Sequence, residues 1–300
     1  MNYGPLLIFI AAVLWGIDGI LRRALYDLPP VTIVFYEHVI GLILISPFLL
    51  KAWKNERLTK KEWGAILLVA LLSGVLGTLF FTSALLAVGF IPFSVVFLIQ
   101  KLQPIFTVTT AAIVLKEQVS TRYIIFGAIA LIAGFFVTFP NGVINMAEGA
   151  GQITAALLAL GAAIAWGSST AFSRFTLLGH GNTFITGLRF LLTVPIALVC
   201  VLALGAGPSL GAVTLNHFWV LLAIAVSTGM LALWIYYKGL RTTPASVSTI
   251  VELAFPLTAI AIDYFVYGTV LAPSQYLAAV ALLACMYAVA RLPLVKAPQA

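Results

Sequence analysis

The chain has 300 residues, of which 62% are hydrophobic and only 8% are charged. A soluble globular domain has roughly 25% charged residues, so the composition excludes an ordinary soluble protein and indicates one that is solvated by a lipid bilayer. The net charge of +7 is not evidence for a nucleic-acid partner, because the basic residues lie in the connections between apolar runs rather than on one clustered face.

Long continuous apolar runs follow one another along the sequence. A helix that crosses a bilayer needs about 20 apolar residues, whereas the strands of a membrane barrel alternate polar and apolar positions over about ten residues. The continuous runs therefore predict an all-α membrane protein with ten transmembrane helices. These predicted helices, numbered spans 1 to 10, are residues 4–24, 31–50, 64–86, 93–115, 122–138, 152–173, 182–204, 216–237, 245–267 and 274–292.

The connection between spans 2 and 3 is crowded with basic residues, which are Lys51, Lys54, Arg57, Lys60 and Lys61. Cytoplasmic connections carry an excess of Lys and Arg, so this one is predicted to be cytoplasmic. With ten spans both chain termini are then also cytoplasmic, and Arg22 and Arg23 are the exceptions to the charge rule. We expect a multi-pass protein of the cell (inner) membrane whose N-terminal apolar run is a retained first span.

Spans 1 and 2 carry polar residues in their predicted outer half. Trp15 lies well inside span 1 rather than in the interfacial belt, so it either contacts a flat apolar substrate or fills the helix bundle. Asp18 is expected to pair with Arg22 four residues later, a structural role that we favour over proton coupling. Glu37 and His38 in span 2 are structural or coupling candidates, and a single membrane histidine is more often a satisfied hydrogen-bond partner.

Spans 4 and 9 hold the polar residues that we expect to line a substrate cavity. Placing a charged side chain at mid-bilayer costs about 2.5 to 3.5 kcal/mol. Each such side chain therefore requires an interaction partner, a water-filled cavity or a functional role. Helical spacing places the polar groups on one face of each span, and Pro104 and Pro256 are predicted to act as hinges beside that face. The predicted cavity residues are Phe97, Gln100 and Lys101 in span 4, and Ser248, Thr249 and Glu252 in span 9.

A structural interpretation of the same two spans stays open. Gln100 and Thr249 could instead form hydrogen bonds between helices, and Lys101 could pair within the bundle, for example with Glu252.

Spans 6 to 8 contain three further features. Trp166 in span 6 has the same two interpretations as Trp15, substrate contact or packing. Arg189 in span 7 is expected to have a carboxylate or carbonyl partner within the bundle, which is a structural role. Near the predicted cytoplasmic end of span 8, where aromatic residues serve as interfacial anchors, lie Trp234, Tyr236 and Tyr237.

The sequence contains an internal repeat of about 150 residues. The run AAVLWG at residues 11–16 recurs as AAIAWG at residues 162–167, and Pro92 and Pro104 recur as Pro244 and Pro256 at nearly the same offset. The repeat predicts two five-helix halves, residues 1–150 and 151–300. Because five is odd, the second half enters the membrane in the opposite direction, which is the inverted-repeat plan of many secondary transporters.

The chain carries the motifs Trp15-Gly16, Trp166-Gly167, Arg189-Phe190, Gln103-Pro104-Ile105-Phe106, and Leu115-Lys116-Glu117 followed by Gly127 and Gly134. In these motifs it resembles the drug/metabolite transporter superfamily, and within it the ten-helix EamA-type exporters. The resemblance implies export of amino acids, including aromatic ones, or of related metabolites and drugs. The chain departs from the pattern where Glu37-His38 stands at the position matching Arg189, and where Thr269 replaces Glu117.

The scarcity of cations inside the spans favours a neutral or zwitterionic small-molecule substrate. Lys101 and Arg189 are the main candidates, whereas a strongly anionic sugar nucleotide, the alternative substrate, would usually require several. Residues typical of a membrane enzyme or of a channel filter are not found, and no metal or other cofactor is predicted. The sequence leaves open whether the protein is a monomer or a homodimer and whether transport is coupled to protons.

Overall fold

The computed structural model describes residues 3–25, 27–86, 102–117, 119–138, 140–142, 150–267, 272–290 and 292. Within these ranges all regular secondary structure is helical, as expected for a chain whose backbone polar groups must be satisfied inside lipid. Three of the predicted cavity residues, Phe97, Gln100 and Lys101, lie outside the described residues.

Six helices are long and apolar enough to cross a membrane, and they coincide with predicted spans 1, 2, 3, 6, 7 and 8. Shorter apolar helices occupy parts of spans 4, 5 and 10. The chain is therefore an all-helical, multi-pass membrane protein, while the total of ten spans stays a prediction. The helices are Gly4–Arg23, Pro30–Trp53, Lys60–Val69, Ala70–Gly77, Thr78–Leu86, Gln103–Val114, Thr121–Thr138, Ala150–Leu177, Asn182–Ala203, Leu215–Val226, Met230–Leu240, Ala245–Val251, Ala254–Tyr267 and Pro273–Ala290, with short 3-10 turns at Pro140–Gly142 and Gly207–Ala212.

Span 9 is broken into two helices at Glu252. Pro256 has no backbone N–H, so the carbonyl of Glu252, four residues earlier, lacks its usual helical donor. That carbonyl instead accepts a hydrogen bond of 3.1 Å from the N–H of Phe255, and the helix is interrupted there. Pro104 stands in the first turn of its helix, where the missing N–H costs nothing. The break in span 9 therefore places the carboxyl group of Glu252 beside irregular backbone. A hinge motion at Pro104 or Pro256 stays a prediction.

Spans 3 and 8 also depart from a regular α-helix. The middle of span 3, Ala70–Gly77, is π-helical, a geometry that occurs frequently at functional sites. Span 8 is interrupted at residues 227–229, between Val226 and Met230. In both spans a polar side chain at the irregularity, Ser73 or Thr228, reaches the same central cavity.

The helices of the two halves pack against each other in a reciprocal pattern. Span 1 packs on spans 8 and 9, and its counterpart, span 6, packs on spans 3 and 4. Spans 2 and 7 pair with each other, as do spans 5 and 10. Because each span corresponds to the span five places later, exchanging the two halves reproduces this whole set of contacts.

Spans 2 and 7, which are counterparts in the repeat, run antiparallel. Trp53 at the end of span 2 packs edge-on against Phe184 near the start of span 7, with ring centroids 5.7 Å apart. Further inside the bundle, a Cβ on Gly41 would lie 2.4 Å from the ring of Phe190. Moving backwards along span 2 therefore corresponds to moving forwards along span 7, which is the relation that inverted halves require.

The glycine of each Trp-Gly motif is a point of close helix approach. A Cβ on Gly16 would lie 2.5 Å from the side chain of Thr258 in span 9, and a Cβ on Gly167 would lie 2.8 Å from the carbonyl oxygen of Gln103 in span 4. Any larger residue would have to displace the neighbouring helix. Packing of span 1 on span 9, and of span 6 on span 4, therefore accounts for glycine at both positions.

Glu117 fixes the start of span 9 to the rest of the bundle. Its carboxylate accepts a hydrogen bond of 3.2 Å from the N–H of Ala245 and one of 3.1 Å from the hydroxyl of Ser246. It also forms an ion pair of 2.9 Å with Arg174 at the end of span 6. A carboxylate is stabilised at a helix N-terminus, so this contact holds the short helix that ends at Glu252.

Candidate substrate cavity

A cavity of about 230 Å³ lies between the two halves, and residues of spans 1, 2, 3, 4, 6, 7, 8 and 9 line it. Cavities with a few convergent polar groups are the usual form of a small-molecule site. Ser248 is fully buried just behind the wall, and Pro256 directly follows the wall residue Phe255. The predicted site residues that line the wall are Trp15, Asp18, Glu37, His38, Pro104, Trp166, Arg189, Thr249 and Glu252.

Glu252 is surrounded by neutral hydrogen-bond donors. The hydroxyl of Tyr236 donates to Glu252 Oε1 at 2.7 Å, and the amide of Gln103 donates to Oε2 at 3.2 Å. The hydroxyl of Ser248 lies 3.5 Å from Oε1. Within the described ranges no basic side chain forms an ion pair with Glu252. The arrangement offers a substrate a carboxyl group whose own partners are uncharged.

Two aromatic pairs form the apolar part of the wall. Trp15 packs on Tyr236 with ring centroids 5.1 Å apart, and Trp166 packs on Phe81 at 5.2 Å. Gly77 leaves room for the Trp166 ring, since a Cβ there would lie 2.5 Å from it. Both tryptophans therefore pack against neighbours and face the cavity, so the two interpretations made from the sequence are compatible.

The interfacial position expected for Tyr236 and Tyr237 is wrong. Their exposed fractions are 4% and 1%, and both line the cavity. The second helix of span 8 packs along span 1, and this turns the tyrosine pair into the bundle. Near the same end of the helix, Trp234 donates a hydrogen bond of 2.9 Å to the hydroxyl of Thr183.

Arg22 joins spans 1 and 2 through two carboxylates. It contacts Asp18, so the pair expected from the four-residue spacing is confirmed, and it also binds Glu37 at 2.8 Å. The hydroxyl of Thr228, at the break in span 8, donates to Asp18 at 2.6 Å. The cluster ties three spans together at one side of the cavity and gives Glu37 a defined partner.

His38 in span 2 and Arg189 in span 7 both line the cavity where the two spans pack together. His38 Nδ1 donates a hydrogen bond of 2.8 Å to the carbonyl of Val34, and its ring lies 5.0 Å from that of Phe190. The carboxylate or carbonyl partner expected for Arg189 is not found among the described residues. Its guanidinium instead donates to the hydroxyl of Tyr237 at 3.4 Å.

The sequence interpretation missed several residues of the site. Gln103 belongs to the Gln103-Pro104-Ile105-Phe106 motif, and its spacing of three residues from Gln100 predicts a place on the same face of span 4. Thr107, one turn further on, accepts a hydrogen bond of 2.9 Å from Thr249 and so links spans 4 and 9. Helical spacing from Gln100 could have identified both residues.

Comparison with known proteins supports a role in transport. The EamA-like transporter family model matches the chain twice, at residues 2–139 and 153–291. The riboflavin transporter ImpX of Fusobacterium nucleatum is 35% identical over 96% of this chain and 98% of its own length. The uncharacterized transporter YwfM of Bacillus subtilis is 26% identical over 92% and 90%. One solved crystal structure shares the fold, with a TM-score of 0.76, 16% identity and 97% coverage of both chains.

Proposed function

Because the chain belongs to the EamA-like transporter family, we propose that it is a secondary transporter that moves a small aromatic solute through the central cavity by alternating access. The protein would reside in the cell membrane with both termini in the cytoplasm. Its halves, residues 1–150 and 151–300, would exchange roles between inward-open and outward-open states. The reciprocal contacts between the halves and the antiparallel run of spans 2 and 7 support this proposal.

The arrangement of polar and aromatic groups favours a flat heteroaromatic substrate of the riboflavin type. Trp15 and Tyr236 supply an aromatic surface, and the Tyr236 hydroxyl is bonded to Glu252, so stacking and hydrogen-bonding groups are adjacent. Riboflavin has a planar ring system and a neutral chain of hydroxyl groups, which match these two surfaces. The similarity to ImpX over nearly the whole chain supports the same substrate class.

Aromatic amino acids, the substrates expected from the sequence, are the second candidate. The observation that favours them is that the cavity presents one carboxylate, Glu252, and one guanidinium, Arg189, that are not ion-paired to each other or to other described residues. These two groups could receive the ammonium and carboxylate groups of a zwitterion. Export, as opposed to uptake, stays a prediction from the family resemblance.

Counterflow in proteoliposomes tests the proposal. Vesicles loaded with unlabelled riboflavin, tryptophan or phenylalanine should take up the same labelled compound faster than empty vesicles, because a carrier returns loaded more readily than empty. We expect riboflavin to give the largest stimulation. A channel or a scaffold would show no stimulation with any of the three compounds, and that result would overturn the proposal.

A matched pair of tryptophan variants locates the pathway. Trp15→Ala should weaken substrate binding roughly 5- to 150-fold, because stacking on an aromatic side chain contributes about 1–3 kcal/mol. Trp219→Ala is the control, since Trp219 is 58% exposed and absent from the cavity wall. Equal effects of the two substitutions would show that the substrate does not contact the Trp15 surface.

A further inference from the structure

Arg189 differs from the other arginines inside the bundle in having no acidic partner among the described residues. Arg22 binds both Asp18 and Glu37, and Arg174 binds Glu117 at 2.9 Å. Arg189 is just as inaccessible, with an exposed fraction of 8%. A buried charge without a compensating partner is costly, so this position requires an explanation that its neighbours do not.

The hydrogen-bonding capacity of Arg189 is also incompletely used. Its Nε is buried and has no hydrogen-bond partner within the described structure. Among the described residues it donates one hydrogen bond, the 3.4 Å contact to the hydroxyl of Tyr237, whose ring centroid lies 5.9 Å from the guanidinium carbon. Buried N–H groups are almost always paired, and an arginine presents its donors as a rigid fork suited to oxygen acceptors. Because Arg189 lines the cavity wall, an acceptor on a ligand there would supply the partner that its guanidinium lacks among the described residues.

We propose that Arg189 is a substrate-binding residue that receives the acceptor-rich end of the transported molecule, and that it thereby fixes the orientation of the substrate in the cavity. The acceptor is either the carbonyl oxygens of a flavin-type ring or the carboxylate of an amino acid. This inference rests on the proposed transport function and adds a specificity-determining contact to it.

Consecutive residues of span 8 contact the two charged groups of the cavity wall, Arg189 and Glu252. The Tyr237 hydroxyl contacts Arg189 and lies 2.9 Å from the hydroxyl of Ser173. The Tyr236 hydroxyl donates to Glu252, and the Tyr236 ring packs on Trp15. A flat substrate on the Trp15 surface would therefore meet a carboxylate at Glu252, and the guanidinium of Arg189 lines the same cavity. These two groups select molecules that carry both hydrogen-bond acceptors and donors.

Binding to the unaltered protein gives the first test. Purified protein in detergent is titrated with two pairs of ligands, riboflavin against 2-thioriboflavin, and tryptophan against tryptamine. The second member of each pair has a weaker acceptor or no carboxylate at the end assigned to Arg189. We expect the first member of at least one pair to bind more tightly by roughly tenfold or more, and the pair that responds identifies the acceptor. Binding of any of these ligands without preference in either pair would overturn the proposal.

Substitution of Arg189 then assigns the preference to this residue. Arg189→Gln should weaken binding of the preferred ligand by about 10- to 100-fold and should barely change binding of its analogue. Arg189→Lys keeps the charge but loses the fork, so it should recover only part of the preference. Lys238→Gln removes a cation from an exposed site outside the cavity and should change neither affinity.

The outcomes separate this inference from the proposed function. If neither riboflavin, tryptophan nor either analogue binds the unaltered protein, the proposed substrate classes are wrong. If a ligand binds and Arg189→Gln weakens both members of its pair equally, Arg189 has only a structural role. If both variants fail to fold, the comparison within each pair on the unaltered protein still tests the proposal, because binding without a preference would overturn it.

Discussion

At the level of single residues, Glu252 is the group whose surroundings the structure defines most closely. It lies at a helix break in a cavity, and its described partners are the uncharged Tyr236, Gln103 and Ser248. A carboxylate in such a place can bind a substrate donor, a proton, or each in turn. Those alternatives differ in their dependence on pH.

Replacement of Glu252 by Gln separates the alternatives. Gln fills the same space but cannot take up or release a proton, so if Glu252 couples transport to protons, the rate in Glu252→Gln should no longer vary with pH. The measurement is counterflow of riboflavin over a series of pH values. Asp27→Asn is the control, because Asp27 has a side chain that is 64% exposed and lies outside the cavity wall. If the unaltered protein and Glu252→Gln have the same pH profile, Glu252 is not a coupling group.

At the level of helices, irregular backbone marks the functional region. The break in span 9, the interruption of span 8 and the π-helical part of span 3 all border the cavity. Irregular backbone at membrane depth is tolerated where it lines a cavity or is buried in protein, because its polar groups then find partners other than lipid. The same breaks are the places where helices can change direction between transport states.

Pro256→Ala tests whether the break in span 9 is needed for transport. Alanine restores the missing N–H and removes a residue that costs about 3 kcal/mol in a helix interior, so we expect a straighter and more stable span 9. The turnover rate in counterflow should fall while the dissociation constant of riboflavin changes little. Pro195→Ala is the control, since Pro195 lies inside the span 7 helix at an exposed position. An unchanged turnover rate in Pro256→Ala would contradict a hinge role.

Gly167→Ala tests the close approach of spans 4 and 6. The new Cβ would lie 2.8 Å from a backbone carbonyl oxygen that cannot move without its helix, so we expect destabilisation of about 1–3 kcal/mol. Thermal unfolding in detergent should therefore occur at a lower temperature. Gly64→Ala in span 3 is the matched control, because a Cβ there has nothing within 4 Å and alanine is the better helix former. Equal stability of the two variants would show that the helices separate freely at this point.

At the level of the whole molecule, the reciprocal contacts between the halves predict on which side of the membrane each chain terminus lies. In an alternating-access carrier with inverted halves, each half has the same odd number of spans. The total is then even, so the two chain termini must lie on the same side of the membrane. A reporter that is active only in the cytoplasm should be active when it is fused to the N-terminus and also when it is fused to the C-terminus. A reporter that is active at one end alone would contradict the ten-span arrangement.

The sequence by itself determined the class of protein, the position of most spans and the family. Composition and the length of apolar runs reflect the solvent around each segment. They are local properties, so they can be read from the sequence without knowing the fold. The Asp18–Arg22 pair was predictable for the same reason, since both residues belong to one helix. The Trp-Gly repeat was visible because both copies keep the small residue that close packing demands.

Only the tertiary structure decided which side chains meet in the cavity. Gln103 and Glu252 are separated by 149 residues in sequence, and their contact depends on how spans 4 and 9 are brought together. Span 8 is broken into two helices, and Tyr236 and Tyr237 face inwards because the second of them packs on span 1. Hydropathy does not reveal this packing. The sequence likewise does not show that Arg189 has no acidic partner among the described residues, because helix rotation and crossing are set by long-range packing rather than by local sequence.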